Sequence, residues 1–204
     1  KFAGTYGTFG SFSLHPRKTI TSGEGGIITT NDDELARKVR VLRNHGIEQR
    51  DGKMEFVAAG FNYRLTDFQA AFVKSQLGRF EESVEQKQAC ARLYKENIQN
   101  PLVKLPVVPE GKNHTWQTFH VVLHESLNRD KVIGYLKEEG IGSNYGAQCI
   151  PEQIFYKQKY GLDSARLFPN ALKSYRQGLA LPLFANMTEE DILRISQCLN
   201  QITS

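Results

Sequence analysis

Residues 11–26 constrain this chain more than any other stretch. Residues 8–14 alternate aromatic and small side chains, the period-two pattern of a strand. Residues 26–30, rich in β-branched side chains, read as a second strand. Between them lie Lys18 and the glycine-rich turn Ser22-Gly23-Glu24-Gly25-Gly26. A lysine amine becomes a nucleophile only where its surroundings lower its pKa from about 10.4. Glycines beside it let the backbone pass close to a bound group, where side chains would clash. Ser13 lies five residues before Lys18, and its hydroxyl can hold a phosphate. Those are the parts of a Schiff-base site. They are equally the parts of a solvated hairpin lysine, and the residues alone leave both readings open.

Along the rest of the chain, helix and strand signals alternate. Asn31 with Glu34 marks a helix start, Leu35, Val39 and Leu42 give that helix one apolar face, and Gly46 ends it. Residues 47–57 read as polar and irregular. Thr66 with Gln69 forms a second capping signal, after which the pattern can run helical to about residue 98. Val73, Leu77, Phe80 and Val84 stripe one face of that run, Gly78 is its one breaker, and Pro101 is the expected stop. Residues 101–112 read as a loop and 115–123 as a strand, with 141–145 as a possible short strand. Asn128 caps a helix carrying Val132, Ile133 and Leu136, closed by Gly140. Residues 151–160 can form a helical turn, and 170–177 a helix ended by Gly178. Thr188 with Asp191 opens a last helix faced by Ile192, Ile195, Leu199 and Ile202.

Composition sets the bounds. With 204 residues, 40% of them hydrophobic, the chain can build a real core as one domain, or as a large fragment plus a small one. The net charge of +4 is spread along the chain without a basic block, which gives nucleic-acid binding little support. Cys90, Cys149 and Cys198 lie far apart, without metal-ligand spacing. They read as reduced thiols of a cytoplasmic protein. No apolar run approaches membrane-spanning length. The series Gly4, Gly7, Gly10 has the wrong spacing for a dinucleotide fingerprint.

A set of ordered motifs bears on the two readings of Lys18. They are Gly4-Thr5-Tyr6-Gly7, Phe12-Ser13, Lys18, Ser22-Gly23-Glu24-Gly25-Gly26 and Leu42-Arg43-Asn44-His45-Gly46. Gly60-Phe61-Asn62-Tyr63-Arg64-Leu65-Thr66-Asp67, Ala70-Ala71, Gln76-Leu77 and Leu179-Ala180-Leu181-Pro182 follow. In this order they resemble the DegT/DnrJ/EryC1/StrS aminotransferases, enzymes dependent on pyridoxal 5'-phosphate (PLP). The resemblance implies an α/β, fold-type I transferase. Residues 1–98 would be the C-terminal part of the large PLP-binding domain with its linking helix, and 99–204 the small C-terminal α/β domain. Because the chain begins at Lys1, inside the family pattern, the resemblance also implies that an N-terminal half is missing and that this piece alone is inactive.

The same resemblance assigns roles. Lys18 would hold PLP and then move protons as base and acid, a task that asks for its amine to lie out of bulk water beside the cofactor. Relatives with histidine at this position are dehydratases, so lysine favours transamination. Ser13 would face the PLP phosphate. Asn62 would reach the phosphate of a neighbouring subunit, which makes the catalytic unit a homodimer with shared sites, and Arg64 is a candidate support. His15 is either a proton shuttle near Lys18 or a loop histidine on Pro16. His15 is also a weak candidate for a substrate contact, as are Tyr145 and Gln148. There the chain departs from the family pattern, having no histidine after His124. The implied reaction moves an amino group, from glutamate, to a keto group of a nucleotide-linked sugar. Alternatives are an aminotransferase on a non-nucleotide cyclic ketone, of aminocyclitol type, or a non-catalytic dimerisation or regulatory fragment. No metal is implied.

Overall fold

The protein is described by a computed structural model covering residues 1–203. Its chain divides into two compact units, Lys1–Phe80 and Glu81–Ser204.

In the first unit, strand β1 (Gly10–Ser13) pairs antiparallel with β2 (Gly26–Thr29), setting Gly10 opposite Thr29 and Ser13 opposite Gly26. Helix α1 (Asp33–Arg43) is capped by Asp32, not by Asn31. Asp32 holds the extended backbone that a cap needs, and its carboxylate accepts from the Leu35 N–H. The segment expected to be irregular is a hairpin, β3 (Ile47–Arg50) with β4 (Lys53–Phe56). Its two turn residues, Asp51 and Gly52, have φ of 49° and 78°. That is a primed turn, whose twist matches the strands it joins. Arg50 and Arg37 both donate to Glu48 on β3 and hold its carboxyl below the usual carboxylate range.

Helix α2 (Asp67–Leu77) opens with the complete capping box of Thr66 and Gln69. The single long helical run expected from residue 67 is interrupted at Gly78 and Arg79, and α3 (Phe80–Asn97) follows. Among the described residues of the first unit, only Leu14 and Val73 are buried apolar side chains. Phe2, Tyr6, Met54, Phe56, Phe68 and Phe72 all stand exposed.

The second unit owns the core. Strands β5 (Val103–Lys104), β6 (Phe119–Leu123) and β7 (Gly178–Leu181) form an antiparallel sheet with β6 in the middle. β6 is shorter than the strand expected over 115–123, because Trp116 has φ of 51° and breaks the extended chain. Along β6, Phe119, Val121 and Leu123 are buried and alternate with half-buried residues. The expected short strand over 141–145 is reduced to one bridge, Asn144 with Ala180.

Helices α4 (Arg129–Glu138), α5 (Ile154–Tyr160), α6 (Ser164–Leu167), α7 (Pro169–Gln177) and α8 (Glu189–Asn200) complete the unit, with a 3-10 turn at Ile150–Glu152. Val132 and Leu136 of α4, Ile192, Ile195 and Leu199 of α8, and Ala91 and Tyr94 of α3 join β6 in one cluster. The Tyr94 hydroxyl, buried in it, donates to the Pro182 carbonyl at 2.8 Å. The far end of α3 is tied off by Asn200, which accepts from the Gln99 and Asn100 N–H groups and donates to the Asn97 carbonyl. Cys90, Cys149 and Cys198 are free thiols, all buried.

Asn128 shows how these helices are anchored. Its side chain accepts from the backbone N–H groups of Asp130 and Lys131 at 3.0 and 3.1 Å. Asn128→Ala leaves both donors to water and is expected to cost about 1 kcal/mol of stability, read from the urea midpoint.

Candidate active site

The loop that carries Lys18 springs from β1 and is closed at its root. Leu14 is buried, its N–H donates to the Gly25 carbonyl at 3.0 Å, and its own carbonyl accepts from the Ser22 N–H at 3.1 Å and the Thr21 hydroxyl at 2.8 Å. Within the loop, the Lys18 N–H donates to the His15 carbonyl at 2.9 Å, a tight turn. Ser13 Oγ accepts from the His15 N–H at 3.3 Å, and His15 Nδ1 accepts from the Arg17 N–H at 3.2 Å. The other ring nitrogen of His15 lies 4.0 Å from Glu24. Ser13, His15 and Lys18 therefore share one short segment with a defined backbone path. The Lys18 side chain itself is exposed. The shielding that a nucleophilic amine asks for is not supplied by the described residues of this chain.

Helix α2 holds the loop from outside. Gln76 pairs with the backbone of Thr21 in both directions: its Nε2 donates to the Thr21 carbonyl at 2.7 Å, and its Oε1 accepts from the Thr21 N–H at 3.1 Å. About two turns earlier, Gln69 Nε2 donates to the carbonyls of Ser22 and Glu24 at 3.3 and 3.2 Å. Val73, buried, lies between them. Residues 69, 73 and 76 are spaced four and three apart, so one stripe of α2 faces the glycine turn. In the sequence, Gln69 stands out only as a cap and Gln76 only as part of a motif. Their helical spacing was the signal that they act together.

Asn62 is placed by a second pair of motifs. The segments 42–46 and 60–63 run together: Phe61 N–H donates to the Leu42 carbonyl at 2.7 Å, His45 N–H to the Phe61 carbonyl at 2.8 Å, and Tyr63 N–H to the Arg43 carbonyl at 2.9 Å. Gly46 and Gly60 permit this approach. Gly46 has φ of 75°, and a Cβ on Gly60 would lie 2.0 Å from the Gly46 nitrogen. Gly60→Ala must push the two segments apart and is expected to cost about 1–3 kcal/mol, measured by thermal or urea unfolding. Asn62 is exposed, and its Oδ1 accepts from Arg64 Nε at 3.0 Å.

Tyr145 and Gln148 belong to the second unit. The Arg129 guanidinium lies 3.9 Å from the Tyr145 ring centre, a cation–π contact, and also donates to the Tyr175 carbonyl. Gln148 Oε1 accepts from Gln153 at 3.4 Å. Among the described residues, no group of three or more His, Cys, Asp or Glu side chains is placed to hold a metal ion. No helix among them is long and apolar enough to cross a membrane.

A mixed α/β chain with this order of elements has the fold of the PLP-dependent sugar aminotransferases. The chain belongs to the DegT/DnrJ/EryC1/StrS aminotransferase family, whose sequence model matches residues 1–200. It is 30% identical over 217 aligned residues to the uncharacterized protein MJ1066 of Methanocaldococcus jannaschii, across 100% of this chain and 56% of that protein. Among solved structures it resembles Helicobacter pylori PseC, an aminotransferase involved in the biosynthesis of pseudoaminic acid. That match has a TM-score of 0.88 and 25% identity, over 98% of this chain and 54% of PseC. The PLP form of Spr1654 from Streptococcus pneumoniae, assigned as a sugar aminotransferase, shares the fold at 22% identity. Its TM-score is 0.87, over 97% of this chain and 52% of that one. The chain thus spans about half the length of the relatives it matches.

Proposed function

We propose that this chain carries the lysine-bearing part of a PLP-dependent aminotransferase, which moves an amino group from glutamate to a keto group of a nucleotide-linked sugar. The observation that carries the reading is the Lys18 loop, which sits inside a match to the family running over residues 1–200. The sugar substrate is supported by the family and by the likeness to solved sugar aminotransferases. In this reading, residues 1–98 form part of the large domain with its linking helix, and 99–204 form the small domain.

The chemistry of the donor set fits PLP. Lys18 offers a primary amine for an aldehyde, and Ser13 a hydroxyl for phosphate oxygens. Asn62, its carbonyl taken by Arg64, keeps an amide N–H2 group for the same purpose. When bound, PLP supplies the electron sink. Lys18 anchors the cofactor and afterwards carries a proton to and from the reacting carbon. Asn62 acts across a homodimer interface, and the exposed apolar side chains of the first unit suit a unit that other surfaces cover. Tyr145 and Gln148 bear on the sugar, His15 lies next to the reacting amine, and the enzyme works in the cytoplasm.

The test is reductive trapping. Full-length protein incubated with PLP should show a visible absorption band, and borohydride should fix the cofactor on the peptide containing Lys18. Lys18→Ala should lose both signals. A full-length protein showing neither signal would favour a non-catalytic module. Activity on a cyclic ketone but not on nucleotide-linked ketosugars would move the substrate to the aminocyclitol type.

A further inference from the structure

The reaction proposed above needs the Lys18 amine at one place, yet the Lys18 side chain is exposed and no core packing holds it. Its position is inherited from the backbone of the loop. One side of that loop is held at Leu14, by the Gly25 and Ser22 peptide bonds. The other side reaches Thr21, three residues after Lys18, and there the loop meets Gln76. A primary amide that gives one hydrogen bond and takes one from the same peptide unit reproduces a step of a β-ladder with a single side chain. It fixes both the position and the tilt of the peptide it grips, which a single bond would not do. Gln76 also donates to the Phe72 carbonyl of its own helix at 2.9 Å, so the amide is held at its base. Thr21 is further tied by its hydroxyl to Leu14 and by the Gly23 N–H to that hydroxyl. Gln76 is the side chain of α2 that bonds Thr21. Gln69 grips the glycine turn beyond it.

We propose that Gln76 is a positioning residue for Lys18: by pairing with both backbone groups of Thr21 it sets where the loop presents the amine. The proposal rests on Lys18 being the residue that holds PLP. It assigns Gln76 no contact with the cofactor or substrate.

The chemistry of the pair provides a diagnostic variant. In Gln76→Glu, a protonated carboxyl keeps the amide's pattern, an O–H donor toward the Thr21 carbonyl and a C=O acceptor for the Thr21 N–H. Once ionised, it sets a negative oxygen against that carbonyl and the grip is lost. In Gln76→Leu the grip is absent at every pH.

The experiment uses full-length protein and measures the rate at which cyanoborohydride, which survives in acid, traps PLP on Lys18, as a function of pH, each variant relative to wild type. Misplacing a reacting group by about 1 Å can cost about 10²-fold, and Gln76→Leu is expected to lose that order of rate at all pH values. The ratio for Gln76→Glu should approach one at acid pH and fall toward the leucine value as pH rises through its carboxyl pKa. Faster hydrogen exchange at the Thr21 N–H should follow the same curve. Urea midpoints taken at each pH report any general loss of stability separately; a Gln76→Glu deficit that does not vary with pH, or that follows the midpoint alone, overturns the proposal. So does an unchanged rate in Gln76→Glu across the whole range, even where Gln76→Leu fails to fold. If Lys18→Ala abolishes trapping while the Gln76 variants behave like wild type, the role of Lys18 stands and that of Gln76 falls. If wild-type Lys18 is not trapped at all, both fall.

Discussion

Lys18→Arg is expected to lower transamination by about 10⁴-fold in the full-length enzyme, although it changes neither charge nor approximate length. Arginine keeps its proton at any working pH, so it can neither attack an aldehyde nor pass a proton to carbon. If Lys18 served only as a cation beside a phosphate, arginine would replace it with little loss. The substitution therefore separates a nucleophile from a counter-ion. The measurement is kcat with glutamate as donor, alongside the visible band after PLP is added. Lys53→Arg, an exposed change on the β3–β4 hairpin, should leave both untouched. An active Lys18→Arg enzyme would remove the foundation of the proposed reaction.

The largest effect on stability is expected from Phe119→Ala. Phe119 is fully buried on the central strand, with Tyr94 at 4.8 Å and Trp116 at 5.4 Å between ring centres. Truncation removes the ring that joins β6 to α3 and leaves a cavity among side chains that cannot collapse together. The cost should be about 3–5 kcal/mol, a large share of the stability of an ordinary domain. The chain's single tryptophan, Trp116, stacks on the same ring and gives a fluorescence signal for the urea midpoint. Val107→Ala, at 82% exposure, should stay within about 0.5 kcal/mol of wild type. A Phe119→Ala protein as stable as the Val107→Ala one would mean that β6 is not the centre of the core.

Helix boundaries were largely legible from the chain because their causes are local. Thr66 with Gln69 and Thr188 with Asp191 form the boxes that their spacing indicates, and Asn128 caps α4. The miss of one residue at Asp32 arose because two potential caps adjoin and the backbone angles choose between them. The strands were harder. β7 is buried on both faces, so it shows no alternation and was noticed only as part of a motif. The β3–β4 hairpin is short and polar, and its signal was the Asp51-Gly52 pair, not its hydrophobicity.

For the candidate site, sequence singles out Lys18, Ser13 and Asn62, and local geometry places Ser13, the last residue of β1, at the root of the loop that carries Lys18. The two-way grip of Gln76 on Thr21 joins residues 55 positions apart, and only the fold brings such partners together.

The buried thiols have a practical consequence. Cys90, Cys149 and Cys198 all lie in the second unit, and the first unit contains no cysteine. A thiol-reactive dye added to the native protein is blind to motions confined to the first eighty residues and registers those openings of the remainder that expose a thiol. The molecule thus comes with its own unfolding clock, readable by mass spectrometry at three separate places without any engineered label.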